Sequence, residues 1–181
     1  VDLYYKNPDK PKGRGVTVSV SLATFVPKPF TPFEFEPQIT SDEIERRQKL
    51  LVSSLTTKKV QVSWHESDTS LLEGAVARGD RRLGAVLERA FALGCKFDSW
   101  GESFDFSKWM QAFEDCGLDP AFYANRTRSY DEVMPWDHLD FFVSKKFLIN
   151  ENKLAHEEKT TPNCREKCAG CGAAVCGVGV C

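Results

Sequence analysis

Pro27, Pro29, Pro32 and Pro37 fall within eleven residues, and that density forbids both a helix and a central strand there. What flanks the run is strongly patterned. Residues 16–21 alternate, with Val16, Val18 and Val20 on one side and Thr17, Ser19 and Ser21 on the other. Period-two alternation rich in β-branched residues predicts a strand. Its polar face is expected toward solvent or a wet cavity, and its valines toward packed helices. Past the prolines, Thr40 or Ser41 can cap a helix over 41–55, with Asp42 and Glu43 in the first turn where the dipole favours them. Residues 60–65 alternate again and predict a second strand. A strand, a rigid extended loop leaving its C-terminal end, a helix and another strand together predict an α/β arrangement.

The rest reads as helical. Residues 1–15 are polar and turn-rich and predict a leading loop. A helix over 71–77, capped by Ser67 or Asp68, breaks at Arg78-Gly79-Asp80. Helix resumes over 81–93 with Leu83, Val86, Leu87, Ala90 and Phe91 at helical spacing, and Gly94 is a C-terminal stop. Further helices are expected over 106–115, from Pro120 at a first turn, and over 144–158, with a turn at 134–137. No internal repeat is present. A chain of 181 residues favours one domain with at most a small appendage. It is too short for a complete eight-fold barrel, which needs roughly 250 residues.

Charge and composition exclude several classes. Lys plus Arg is 24 and Asp plus Glu is 26, a formal net charge of −2. This gives no electrostatic case for nucleic acid or an anionic membrane as an obligatory partner. With 41% hydrophobic residues the chain is not of disordered composition. No apolar run approaches the roughly 20 residues of a membrane span, and none reads as a signal peptide. Trp100, Trp109 and Trp136 are expected in the core, and His138 and His156 on the solvated surface.

Seven cysteines are unevenly placed. Cys95 and Cys116 are isolated and read as buried thiols. Cys164, Cys168, Cys171, Cys176 and Cys181 crowd the end. The odd count speaks against a secreted disulfide framework. A cytoplasmic, reducing context is expected, where clustered thiols bind metal more often than they pair. The Cys168-x2-Cys171 turn lets two thiolates reach one ion, and Gly170 and Gly172 relieve the backbone where N–H groups must point toward sulfur. Cys164, Cys168 and Cys171 with Cys176 as the nearest fourth ligand, or Cys181 instead, suit tetrahedral zinc or an iron–sulfur cluster. The plainer alternative is a terminal tail with free thiols.

Other candidates are weaker. Lys28, held between Pro27 and Pro29 in a loop at a strand's C-terminal end, would be a fixed cation for a phosphate or carboxylate. Thr31 belongs to the same loop. The alternative is a strand exit packed by Phe25, Phe30, Phe33 and Phe35. His65, followed by Glu66, Ser67 and Asp68, is placed for acid–base work or is structural. Arg78, Asp80, Arg81 and Arg82 form either a salt-bridged helix junction or a site for a substrate anion.

Several segments together resemble a bacterial family of radical S-adenosylmethionine proteins that carry a cobalamin-binding-like domain before the radical core. They are the stretch from Val18 through Phe25-Val-Pro-Lys-Pro-Phe-Thr-Pro-Phe33, then Ser70 to Arg82 with its Arg-Gly-Asp-Arg-Arg segment, Gly94-Cys-Lys-Phe-Asp-Ser-Trp100, Met134-Pro-Trp-Asp137, and Thr161-Pro-Asn-Cys-Arg165 with Cys168 and Cys171. The resemblance implies the C-terminal part of a partial (β/α)6 barrel in residues 1–66, a mostly helical extension in 67–158 and a cysteine-rich metal-binding tail in 159–181. It implies that the loop with Pro27, Lys28, Pro29 and Thr31 lies near the mouth where S-adenosylmethionine and substrate meet, and His65, Arg78, Asp80 and Arg81, read from their residue types, are expected at the same mouth. The catalytic iron–sulfur cysteines, the segments that hold S-adenosylmethionine and any cobalamin domain would lie upstream, in a barrel portion that this chain completes. The family's tail usually has one more residue between its first two cysteines than Cys164 and Cys168 have. Alone, such a chain would lack the radical chemistry. The competing reading is a non-catalytic zinc-knuckle module binding RNA or protein, supported by the thiols with Arg165 and Lys167.

Overall fold

The computed structural model describes residues 1–13 and 15–177, without the side chain of Cys176. Helix α1 spans Asp2–Lys6, where a loop was expected. Its acidic first turn and basic last turn suit the helix dipole, and its Tyr5 ring is held from outside by the Lys59 ammonium, 4.4 Å from the ring centroid.

Strand β1 spans Val18–Leu22, helix α2 Ser41–Ser53 and strand β2 Val60–Trp64. The strands pair in parallel, Val18 opposite Val60 through Leu22 opposite Trp64, with α2 in the crossover. Thr40 caps α2 by accepting from the Glu43 N–H over 3.4 Å. The polar positions Ser19, Ser21, Gln61 and Ser63 are exposed, as the alternation predicts. The apolar positions are only half-buried, and neither strand contains a buried residue. A parallel pair is ordinarily covered on both faces, and this one is not.

Helix α3 spans Ser67–Ala77. It starts a full turn earlier than the apolar pattern predicts, because Ser67 and Asp68 join its first turn instead of capping it. The cap position belongs to Glu66, whose side chain makes no capping bond. Helix α4 spans Leu83–Ala92, α5 Phe106–Asp115, α6 Pro120–Ala124 and α7 Lys145–His156. Gly94, at φ +94°, ends α4 by a Schellman pattern: its N–H reaches the Phe91 carbonyl and the Cys95 N–H reaches that of Ala90, both over 3.0 Å. Asp119 caps α6 and Ser144 caps α7.

Two apolar clusters form the interior. The larger joins α3 to α6: Ala75, Val86, Ala90 and Phe113 pack with Trp109 and Tyr123. In α5 the buried Trp109, Ala112 and Phe113 lie at i, i+3 and i+4, one helical face. The smaller cluster gathers Phe35 from the proline loop, Met134 and Trp136 from the turn, and Leu148 from α7. Trp100 is 63% exposed, contrary to the expectation for it. Cys95 is buried and Cys116 half-buried. Among the described residues no helix is long and apolar enough to cross a membrane.

Candidate functional site

The proline loop leaves β1 as predicted and then folds on itself. Two turns close it, the Glu34 N–H reaching the Thr31 carbonyl and the Glu36 N–H that of Phe33, each over 3.0 Å. Pro27 is fully buried and Pro29 half-buried. Thr31 donates its hydroxyl to the Lys28 carbonyl over 2.7 Å. Lys28 is not an unpaired cation, because its ammonium meets Glu73 of α3 at 2.6 Å. Phe25 and Phe33 stay on the surface in edge contact, while Phe30 stacks on Phe141 with centroids 4.2 Å apart.

The next two acidic residues turn inward. Glu34 is 3% exposed, and one carboxylate oxygen, Oε2, accepts both the Phe30 N–H at 2.7 Å and the Trp136 indole N–H at 2.9 Å. Burial pushes its carboxyl above the usual range, against the pull of those two donors. Phe30 holds φ at +59°, a strained setting for a bulky residue, and the Glu34 carboxylate pins its N–H there. Glu36 accepts from Asn152 at 2.8 Å and meets the His156 ring nitrogen at 2.7 Å, both on α7. Burial raises the Glu36 carboxyl, yet these two hydrogen bonds outweigh it and leave it below the ordinary range.

Glu34 lines a cleft of about 270 Å³ between the proline loop and residues 136–148. Phe30, Trp136, Val143 and Leu148 supply apolar walls, and Asp137, His138 and Lys145 stand at its polar side. Lys145 is engaged by Asp137 and by the Glu132 carbonyl, at 2.8 and 2.7 Å. Nothing in the sequence analysis singled out Glu34. The signal was the Phe33-Glu34-Phe35-Glu36 alternation, which sets acids between aromatic residues in a loop that has to pack.

Arg78, expected at a mouth, is 1% exposed. Its guanidinium donates to the backbone carbonyls of Glu36 and Arg126, joining the proline loop to the segment after α6. Burial first, and then the neighbouring Arg128 and Arg126 charges, lower its pKa to about 10. Asp80 grips Arg82 at 2.7 Å, so the plainer salt-bridge reading holds for that pair. Asp80 and the exposed Arg81 share a cavity of about 560 Å³ with Pro135 and His138. His65 is exposed beyond β2, its carbonyl meeting the Gln48 amide at 3.5 Å. The structure thus brings Asp80 and Arg81 together, ties Lys28 to α3, buries Arg78 and leaves His65 outside.

The tail folds back onto α7. Thr161 donates to Glu151 at 2.8 Å, and the Ser144 N–H reaches the Cys171 carbonyl at 2.9 Å. The Gly170 N–H points at Cys168 Sγ over 3.4 Å, and the Ala173 N–H at Cys171 Sγ over 3.5 Å. Gly170 and Gly172 take φ of +69° and +107°, the settings that aim these amides. Both amides are placed as donors to sulfur, and this donor set at Cys168 and Cys171 fits a thiophilic ion. Cys164 is exposed, and among the described residues no three His, Cys, Asp or Glu side chains form a metal-holding group. The Cys176 side chain and Cys181 lie outside the described residues. No protein-family model, curated protein or solved structure matches the chain.

Proposed function

We propose that this chain is the C-terminal portion of a cytoplasmic radical S-adenosylmethionine enzyme, supplying the last strands of a partial (β/α)6 barrel, a loop at the substrate mouth and an auxiliary metal site. The observation that carries the reading is the parallel β1–α2–β2 unit without a single buried strand residue. Parallel sheets are stable when covered on both faces, so this pair suits extension by further strands from the same protein. The proline loop leaves the C-terminal end of β1, where α/β enzymes gather ligand contacts.

In the assembled enzyme the iron–sulfur cluster and S-adenosylmethionine would supply a radical able to attack an unreactive C–H bond. Upstream residues would hold both. This chain's part is positional: Arg78 clamps the mouth loop, and Lys28 with Glu73 fixes that loop against α3. Cys168 and Cys171, with Cys164 and Cys176, would hold the auxiliary ion; a cobalamin partner domain belongs to the same reading. Anaerobic reconstitution of the full protein should yield a cluster absorption band and reductant-dependent 5′-deoxyadenosine. Well-folded protein giving neither would overturn the proposal.

A second reading, a non-catalytic zinc-knuckle module for RNA or protein, draws on the two amide-to-sulfur contacts. Metal analysis separates the two readings. Colourless protein with one zinc per chain, lost on Cys168→Ser, supports the module, and brown protein containing iron and sulfide supports the auxiliary cluster.

A further inference from the structure

We infer that the cleft between the proline loop and α7 is a binding site for a small ligand that carries a primary ammonium group on an apolar body. The inference does not depend on the barrel reading, because every residue it uses is in this chain.

Glu34 carries it. The residue is 97% buried (3% exposed), and both hydrogen bonds to it fall on Oε2. Among the described residues no donor reaches Oε1, although the carboxylate lines the cleft. Oε1 is the carboxylate's one open oxygen and keeps solvent contact through the cleft, so a donor entering from outside the protein takes the place of water there. The occupied Oε2 also decides what shape of donor fits. A guanidinium binds a carboxylate best through two parallel N–H groups, one to each oxygen. Here only one oxygen is open, and a compact ammonium, a point charge with rotatable donors, matches it.

The surroundings agree. Glu34, Asp137 and Asp140 face a single lysine, Lys145, which is already held by Asp137 and a backbone carbonyl. The rest of the lining is largely hydrocarbon and aromatic, with Phe30, Val143 and Leu148 alongside Trp136. A volume of about 270 Å³ lies just below the roughly 300–1,000 Å³ of drug-sized sites and suits a small amine. The flanks are strained. Phe30 and Phe142 hold φ at +59° and +62°, and bulky residues keep such values where the surroundings impose them.

The test follows the Trp136 indole N–H cross-peak in the whole chain, assigned by Trp136→Phe, during titration with three probes of one shape: phenethylammonium, 2-phenylethanol and 3-phenylpropionate. The ammonium should shift the peak saturably and bind about tenfold tighter than the alcohol, with the carboxylate weakest. Glu34→Gln should remove the preference for the ammonium while retaining weak binding through the apolar wall. Leu139→Trp, at a half-exposed rim position, should block all three probes with Glu34 intact, and it decides the matter should Glu34→Gln fail to fold. Equal binding of the three probes, no saturable shift up to about 10 mM ammonium, or ammonium binding that survives Leu139→Trp would overturn the inference.

Discussion

Trp136 donates its indole N–H to the Glu34 carboxylate over 2.9 Å, joining a turn to a loop 102 residues away. That bond fastens the proline loop to the C-terminal half of the chain and leaves Glu34 one oxygen facing the cleft. Trp136→Phe keeps most of the ring but removes the donor from a buried acid. A loss of about 1–3 kcal/mol in urea unfolding at neutral pH is expected. A cost near zero would mean that water replaces the indole.

Glu34 also sets a pH dependence. Its carboxyl is raised in the folded state, so the fold holds the proton more tightly than the unfolded chain does. The associated stability is complete below the ordinary carboxylate range and is lost as pH rises through the raised folded value. Glu34→Gln stays neutral throughout. The stability of the native protein relative to this variant should therefore fall with rising pH across that window and then level. A difference that rises with pH would contradict the burial.

Arg78 bridges two carbonyls inside the fold. Arg78→Met should destabilise by about 2–4 kcal/mol in chemical denaturation, since two buried acceptors lose a charged donor. Arg78→Lys should recover only part of this, because an ammonium lacks the fork that reaches both carbonyls.

Lys28 and Glu73 offer the opposite case. Both side chains are about half exposed. Lys28→Met should change the melting temperature little, consistent with roughly 0–1 kcal/mol for exposed pairs. Under the proposed radical-enzyme reading the same change should lower turnover of the assembled enzyme, and unchanged turnover would remove Lys28 from the mouth role.

Gly172 combines a positive φ with close neighbours, as an added Cβ would lie 3.4 Å from the Phe142 carbonyl oxygen. Gly172→Ala should cost about 1–3 kcal/mol locally and loosen the Cys171 contact with Ser144. Faster amide exchange at Ser144 and weaker zinc uptake by the chain are the readouts, and an unaltered Ser144 amide would show that the tail is held elsewhere.

The local elements were legible because their causes lie within a turn or two of chain. Alternation at 16–21 and 60–65 placed both strands, Thr40 was one of two caps read for α2, Pro120 marked a first turn, and Gly94 placed a stop. Glycines beside Cys168 and Cys171 foretold amides aimed at sulfur. The failures lie where local signals compete. Ser67 and Asp68 are good caps that the packing of α3 draws into its first turn, and α1 forms in a turn-rich stretch under the Lys59 contact. Trp100 has the composition of a core residue but packs into neither apolar cluster.

From residue order alone came the rigid loop after β1, the helical extension and the clustered thiols, because φ restriction, period and capping are short-range properties. The fates of Glu34, Glu36 and Arg78 were decided by folding. In the sequence they are three charged residues among others; in the structure Trp136 and the Arg126 carbonyl, each far along the chain, help take Glu34 and Arg78 out of water, and Asn152 half-covers Glu36. Whether a charge is solvated or buried depends on which distant segment covers it, and hydrophobic burial of Phe35, Trp136 and Leu148 made that choice.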